Sequence, residues 1–169
     1  MIRIFFILLV SFLVAILQIS VVPFLEIFSA GIFLPLIIVL AKVFFNDNDW
    51  QKIKEIALFT LFSGLMIDLL SGAFFPTVTI ILILNLGVAL ILQKTIIAEK
   101  QFLIITLAVF MHSMIFDFLF LLLSHELTFD WQIMKILVLD AGLSMAVFWI
   151  IIYLSSKINP RLDKKRYHF

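Results

Sequence analysis

Gly64-Leu65-Met66-Ile67-Asp68-Leu69-Leu70-Ser71-Gly72 lies between two apolar runs, Ala57 to Ile67 and Val78 to Leu92, and its reading decides the fold. A carboxylate in hydrocarbon costs about 2.5 to 3.5 kcal/mol on insertion scales, so it is kept for a reason. Ser63, Gly64, Ser71 and Gly72 around it are small enough for a neighbouring helix to approach the backbone closely. Gly72 and Pro76 then end the helix, glycine by loosening the backbone and proline by lacking the amide hydrogen needed to continue. The segment from Ala57 to Gln93 therefore reads as a membrane hairpin with a buried acid near its tip.

Composition agrees with that reading. Hydrophobic residues make up 64% of the 169 and charged residues 14%, against about 45 to 50% and about 25% in soluble domains. At about 20 residues per span, the chain has room for five or six helices and no separate soluble domain. A net charge of +1 argues against nucleic acid as a partner, and the absence of cysteine removes disulfides, thiol catalysis and thiolate metal sites.

In chain order, Ile4 to Phe24 is the first apolar run, longer than the apolar core of a signal peptide, so an uncleaved first helix is expected. A turn at Glu26 to Gly31 leads to a short run, Ile32 to Phe45, with Pro35 in its first turn, where a missing amide hydrogen costs little. Fourteen residues is short for a span, so its ends need flanking residues or local thinning. Asn46 to Glu55 is polar and reads as a surface loop with Trp50 at the interface. Further helices are expected at about Ile56 to Leu70, Val78 to Leu92, Phe102 to Leu123 and Ile133 to Tyr153, with wet loops at Gln93 to Gln101 and Ser124 to Gln132. Residues 1–155 thus form a six-helix transmembrane domain, and 156–169 a basic cytoplasmic tail that contacts anionic lipid.

With both termini cytoplasmic, Arg3, Lys42, Lys52, Lys54, Lys94, Lys100, Lys157, Arg161, Lys164, Lys165 and Arg166 fall inside, and of the 12 basic residues only Lys135 falls outside. That topology turns scattered acids into a pattern. Asp68, Asp117 and Asp140 all land in the outer half, with Asn85 slightly deeper and His112 near the middle of the fifth helix. The expectation is one polar layer, enclosed by helices three, five and six, that serves a partner or ligand. The plain alternatives are that Asp68 and Asp117 reach water at helix ends and that His112 is a neutral histidine bonded between helices. If Asp68 is a buried polar contact, Asp68→Asn is expected to be mild and Asp68→Leu worse.

The chain has no glycine-rich phosphate loop, no paired histidines on a helix and no G-x-S-x-G nucleophile setting, and it lacks the flanking motifs of an intramembrane aspartyl protease. The expectation is a non-enzyme without cofactor or metal.

The run Leu61-Phe62-Ser63-Gly64-Leu65-Met66-Ile67-Asp68-Leu69-Leu70-Ser71-Gly72 resembles the signature of the rod shape-determining protein MreD family, a glycine-leucine-x-x-aspartate-leucine segment followed by a small-residue turn. Phe33-Leu34-Pro35-Leu36 resembles that family's proline at the start of its second helix, and chain length, six spans and basic tail fit throughout. The chain departs from the pattern at Phe75-Pro76-Thr77, where the family usually has a glycine. The resemblance implies a multi-pass subunit of the bacterial cytoplasmic membrane, part of the side-wall elongation machinery. Its implied partners are MreC, the actin-like MreB filament, and the peptidoglycan polymerase and transpeptidase. It also implies a fold similar to the substrate-binding components of energy-coupling-factor transporters. That similarity supplies the alternative function, a substrate-binding membrane component for a vitamin or other small molecule. Such a component docks through small residues on its first helix, for which Ser11 to Ala15 is a poor version, and Leu69 to Thr79 is too short and apolar to form its lid. Gly64, Asp68, Gly72, Asn85, His112, Asp117 and Asp140 are the candidate functional positions.

Overall fold

The computed structural model describes residues 2–20, 32–45, 50–72, 76–95, 102–123 and 131–158. The expected turn at Glu26 to Gly31, the end of the first run past Ser20, most of both wet loops and the tail beyond Ile158 lie outside the described residues. Six helices and no strand occur among the described residues: α1 (Ile2–Ser20), α2 (Leu34–Phe45), α3 (Trp50–Leu70), α4 (Thr77–Thr95), α5 (Phe102–Leu123) and α6 (Trp131–Ile158). Four of them, α1, α4, α5 and α6, are long and apolar enough to cross a membrane.

The short second run has a different explanation from the expected local thinning. At 12 residues α2 is about 18 Å long, well under the roughly 30 Å of a hydrocarbon core. It packs against each of the other five helices. Pro35, Leu36, Ile37, Val39, Leu40, Ala41, Val43 and Phe44 are all buried, as expected for a helix whose one charged residue, Lys42, lies in its last turn. A helix wrapped by protein has no lipid-facing length to match, so it can be short.

α3 begins at Trp50, six residues before the expected start, so the second half of the predicted surface loop is helical. No glycine or proline interrupts Trp50 to Phe62, and Lys54 sits one turn after Trp50 with its ammonium 5.4 Å from the ring centre. The same i, i+4 pairing recurs at both ends of α6. Lys135 lies 5.7 Å from the Trp131 ring and Lys157 lies 5.0 Å from the Tyr153 ring. These aromatics are exposed and amphipathic, the chemistry of a membrane–water boundary. Along α6, Trp131 to Tyr153 spans about 33 Å at 1.5 Å per residue, close to one hydrocarbon thickness of roughly 30 Å. The extensions of α6 beyond the expected Ile133 to Tyr153 add Trp131 at one end and Lys157 at the other.

Side-chain contacts also place the basic residues. Arg3 Nη1 is 3.6 Å from Glu55 Oε1, so α1 and α3 start at the same end of the bundle. Lys42 stacks 5.0 Å above the Phe59 ring, and Gln93 Nε2 donates to the Val43 carbonyl at 2.6 Å, bringing the ends of α2 and α4 there too. Phe45 meets Phe148 and Trp149, which turns the second half of α6 the same way. Arg3, Lys42, Lys52, Lys54, Lys94 and Lys157 therefore gather towards one end, with Lys135 at the start of α6.

If α2 is the centre of the packing, Leu40→Ala should lower thermal stability in mild detergent by about 2 kcal/mol or more through the cavity it leaves. Leu13→Ala, on the exposed face of α1, should change it little. Unfolding curves of the two variants, monitored by tryptophan fluorescence, check the contrast.

Candidate functional site: a carboxylate clasp and a second acidic pair

Gly64 and Asp68 are one turn apart on α3, so both face the same neighbour, the start of α4. A Cβ built on Gly64 would lie 2.7 Å from Thr79 Cα and 2.9 Å from Thr79 Oγ1, so only glycine permits this approach of the two backbones. One turn further on, Asp68 meets the open end of α4. Val78 N donates to Asp68 Oδ1 at 2.9 Å, and Thr79 N and Thr79 Oγ1 donate to Asp68 Oδ2 at 2.9 and 2.6 Å.

Those two amides belong to the first turn of α4, where backbone donors have no partner within the helix. The residue in the capping position is Pro76, whose carbonyl accepts the first helical bond from Ile80 N at 3.1 Å but whose side chain has no acceptor. Asp68 supplies that acceptor from the preceding helix, and its negative charge sits at the positive end of the α4 dipole. The carboxylate is 4% exposed, so each buried group satisfies the other. Gly72 makes the return possible. Its φ of +72° closes α3 in the left-handed region, with Ser71 N bonded to the Ile67 carbonyl at 2.8 Å and Gly72 N to that of Leu69 at 3.3 Å.

The same device occurs one hairpin earlier, at a residue that sequence reasoning missed. Gln18, near the end of α1, donates through Nε2 to the Ile32 carbonyl at 3.0 Å and accepts from Leu34 N at 2.8 Å through Oε1. It tethers the start of α2, whose own cap position, Phe33, has no side-chain acceptor. The signal was present: an amide side chain in the last turn of an otherwise apolar helix, followed by a helix starting Leu34-Pro35.

The expected polar layer of three acids is therefore divided. Asp68 is engaged by α4, and α3 packs chiefly on α1, α4 and α2, while α5 and α6 pack on each other. Asp117 lies on α5 and Asp140 on α6, the two helices that pack on each other. Asn85 is buried and donates to the Ile81 carbonyl of its own helix at 3.0 Å. His112 differs from the expected interhelical bond: its Nδ1 pairs with the Ala108 carbonyl, one turn back on α5, at 2.8 Å. With Nδ1 as donor, Nε2 is the bare acceptor, and it is buried without a partner. The ring edge packs on Phe44 at 6.1 Å between centres.

Two hollows open on the surface. One, about 320 Å³, lies between α4 and α5, lined by Val88, Leu92, Leu107, Met111 and His112. The other, about 560 Å³, lies on α6 around Trp131, Lys135 and Leu139. Both are almost wholly apolar, and Asp68, Asp117 and Asp140 line neither. No family model matches the chain, and no curated protein or solved structure matches it either.

The clasp changes the expectation for Asp68→Asn. Both carboxylate oxygens accept, so an amide keeps a single acceptor oxygen and turns its NH₂ towards a backbone N–H of α4. The variant should lose about 1 to 3 kcal/mol of stability, close to the cost of Asp68→Leu rather than far milder. Gly64→Val should be worse than either, because the atom it meets is backbone. Thermal melts of the three variants test the order.

Proposed function

We propose that this chain is a non-enzymatic scaffold subunit of the bacterial cell-elongation machinery, held in the cytoplasmic membrane by six spans with both termini in the cytoplasm. The observation that carries this reading is the use made of the motif acid. Asp68, in the segment that resembles the MreD signature, is spent on joining α3 to α4, and Gln18 is spent in the same way on α1 and α2. Buried polar groups that hold helices together leave the outer surfaces as the working parts, which suits a protein that binds other membrane proteins and lipid. The gathering of basic side chains at one end of the bundle supports the cytoplasmic assignment of that end. On this reading the partners are MreC, MreB, and the polymerase and transpeptidase of side-wall synthesis.

A substrate-binding transporter component finds less support. Ser11 and Ala15, the small residues such a protein would offer to its partner, are completely buried, and the main neighbour of α1 is α3. Among the described residues, the hollows between α4 and α5 and on α6 lack the amide and acidic lining expected of a vitamin site.

Purification of the tagged protein in mild detergent, followed by mass spectrometry, should recover the wall-elongation proteins. A co-purifying vitamin-sized molecule in their place would favour transport. For the topology, reporters fused after Phe169 or inserted within residues 46–49 should be cytoplasmic, and one within residues 124–130 external. Finding the two inserted reporters on the same side would end the six-span arrangement.

A further inference from the structure

We propose that the hollow between α4 and α5 is a binding site for a neutral long-chain alcohol, whose hydroxyl donates to His112 Nε2 while its hydrocarbon tail lies along the apolar walls. The inference stands apart from the elongation reading and rests on the one polar side chain that, among the described residues, lines this hollow.

Ala108 and His112 are one turn apart on α5, and the imidazole turns back so that Nδ1 meets the Ala108 carbonyl at 2.8 Å. A carbonyl only accepts, so Nδ1 carries the proton of the neutral ring and Nε2 presents a lone pair. Nothing donates to that lone pair: Nε2 is buried without a hydrogen-bond partner, on a residue only 1% exposed. Phe44, in edge contact with the imidazole, has no donor beyond its C–H groups. The other walls, Val88 and Leu92 on α4 and Leu107, Met111 and Ile115 on α5, have none either. A buried acceptor left in this way is costly, and an occupant that brings a single hydroxyl removes the cost.

The shape of the hollow selects among occupants. Its lining on α5 runs from Ile104 to Ile115, about 16 Å along the helix axis. Spread over that length, a volume of about 320 Å³ has a cross-section of about 20 Å², and gathered into half the length about 40 Å². A helix at least 10 Å across needs about 80 Å², so neither a partner's transmembrane helix nor one from a second copy enters. A hydrocarbon tail, whose carbons keep about 4 Å from their neighbours, does.

Depth selects the polar group. His112 lies ten residues beyond the start of α5, about 15 Å in, or half of a hydrocarbon core of roughly 30 Å. A phospholipid keeps its polar groups at the boundary, and its tails would fill the hollow without giving Nε2 a donor. A neutral alcohol has no charged headgroup to hold it at the surface, and its hydroxyl, itself costly in hydrocarbon, finds its acceptor at His112. Met111, unbranched and half exposed beside His112, is the wall with the freedom to move aside and let the hydroxyl reach the covered nitrogen.

The test uses the full chain, labelled with ¹⁵N-histidine, in mild detergent titrated with tetradecanol or with its methyl ether, which has the same tail and no donor. Tetradecanol should raise Tm saturably and move the His112 Nε2 resonance as an accepted hydrogen bond does. It should bind about tenfold tighter than the ether, the worth of one buried hydrogen bond. His112→Phe, which also identifies the resonance, should bring the two probes to equal affinity, and Leu107→Trp, which narrows the hollow, should weaken both. Equal binding of alcohol and ether to the wild type, the result of a hollow that takes any tail, overturns the proposal. So does a preference for alcohol that survives in His112→Phe, or an Nε2 resonance that no concentration of tetradecanol moves. Should His112→Phe fail to fold, the resonance and the two affinities of the wild type decide.

Discussion

Two unsatisfied groups meet at the tip of the α3–α4 hairpin, and the packing of that half of the molecule depends on their meeting. A carboxylate on an otherwise apolar helix is costly alone, and so is the open first turn of a helix that starts at a proline with no capping side chain. Joined, they form a charge-assisted contact in a low-dielectric setting. The geometry tolerates little change. Gly64 must lack a side chain for α4 to come near enough, Asp68 must follow one turn later, and Gly72 must turn the chain back within a few residues.

With α3 and α4 fixed in this way, and α1 tied to the start of α2 by Gln18, the first four helices form two hairpins locked by the same chemistry. Each uses a polar side chain late in one helix to cap the next. α2 can then sit in the middle, apolar except at Lys42 in its last turn, with its length set by its neighbours and not by the bilayer. The third hairpin, α5–α6, is built differently. Its two helices carry one acid each, Asp117 and Asp140, together with the buried serines Ser113 and Ser144.

Much of this was legible from the residues. Composition and the spacing of apolar runs define a helical membrane protein, because a span needs about 20 apolar residues whatever surrounds it. α5 begins and ends where its apolar run does, and Gly72 and Pro76 mark the hairpin turn, because both act through their own backbone. Gly64 and Asp68 stood out as small and charged residues in a place that disfavours the second. What the tertiary structure decided was whom each polar group meets. Depth along a helix follows from counting residues, so three acids at similar levels looked like one layer; direction round the bundle depends on which helices are neighbours, and that placed Asp68 on α4, while Asp117 and Asp140 sit on the mutually packed α5 and α6. The role of α2 was hidden for the same reason: a short apolar run looks alike whether lipid or protein surrounds it, and only the packing of five other helices around it distinguishes a central strut from a short span.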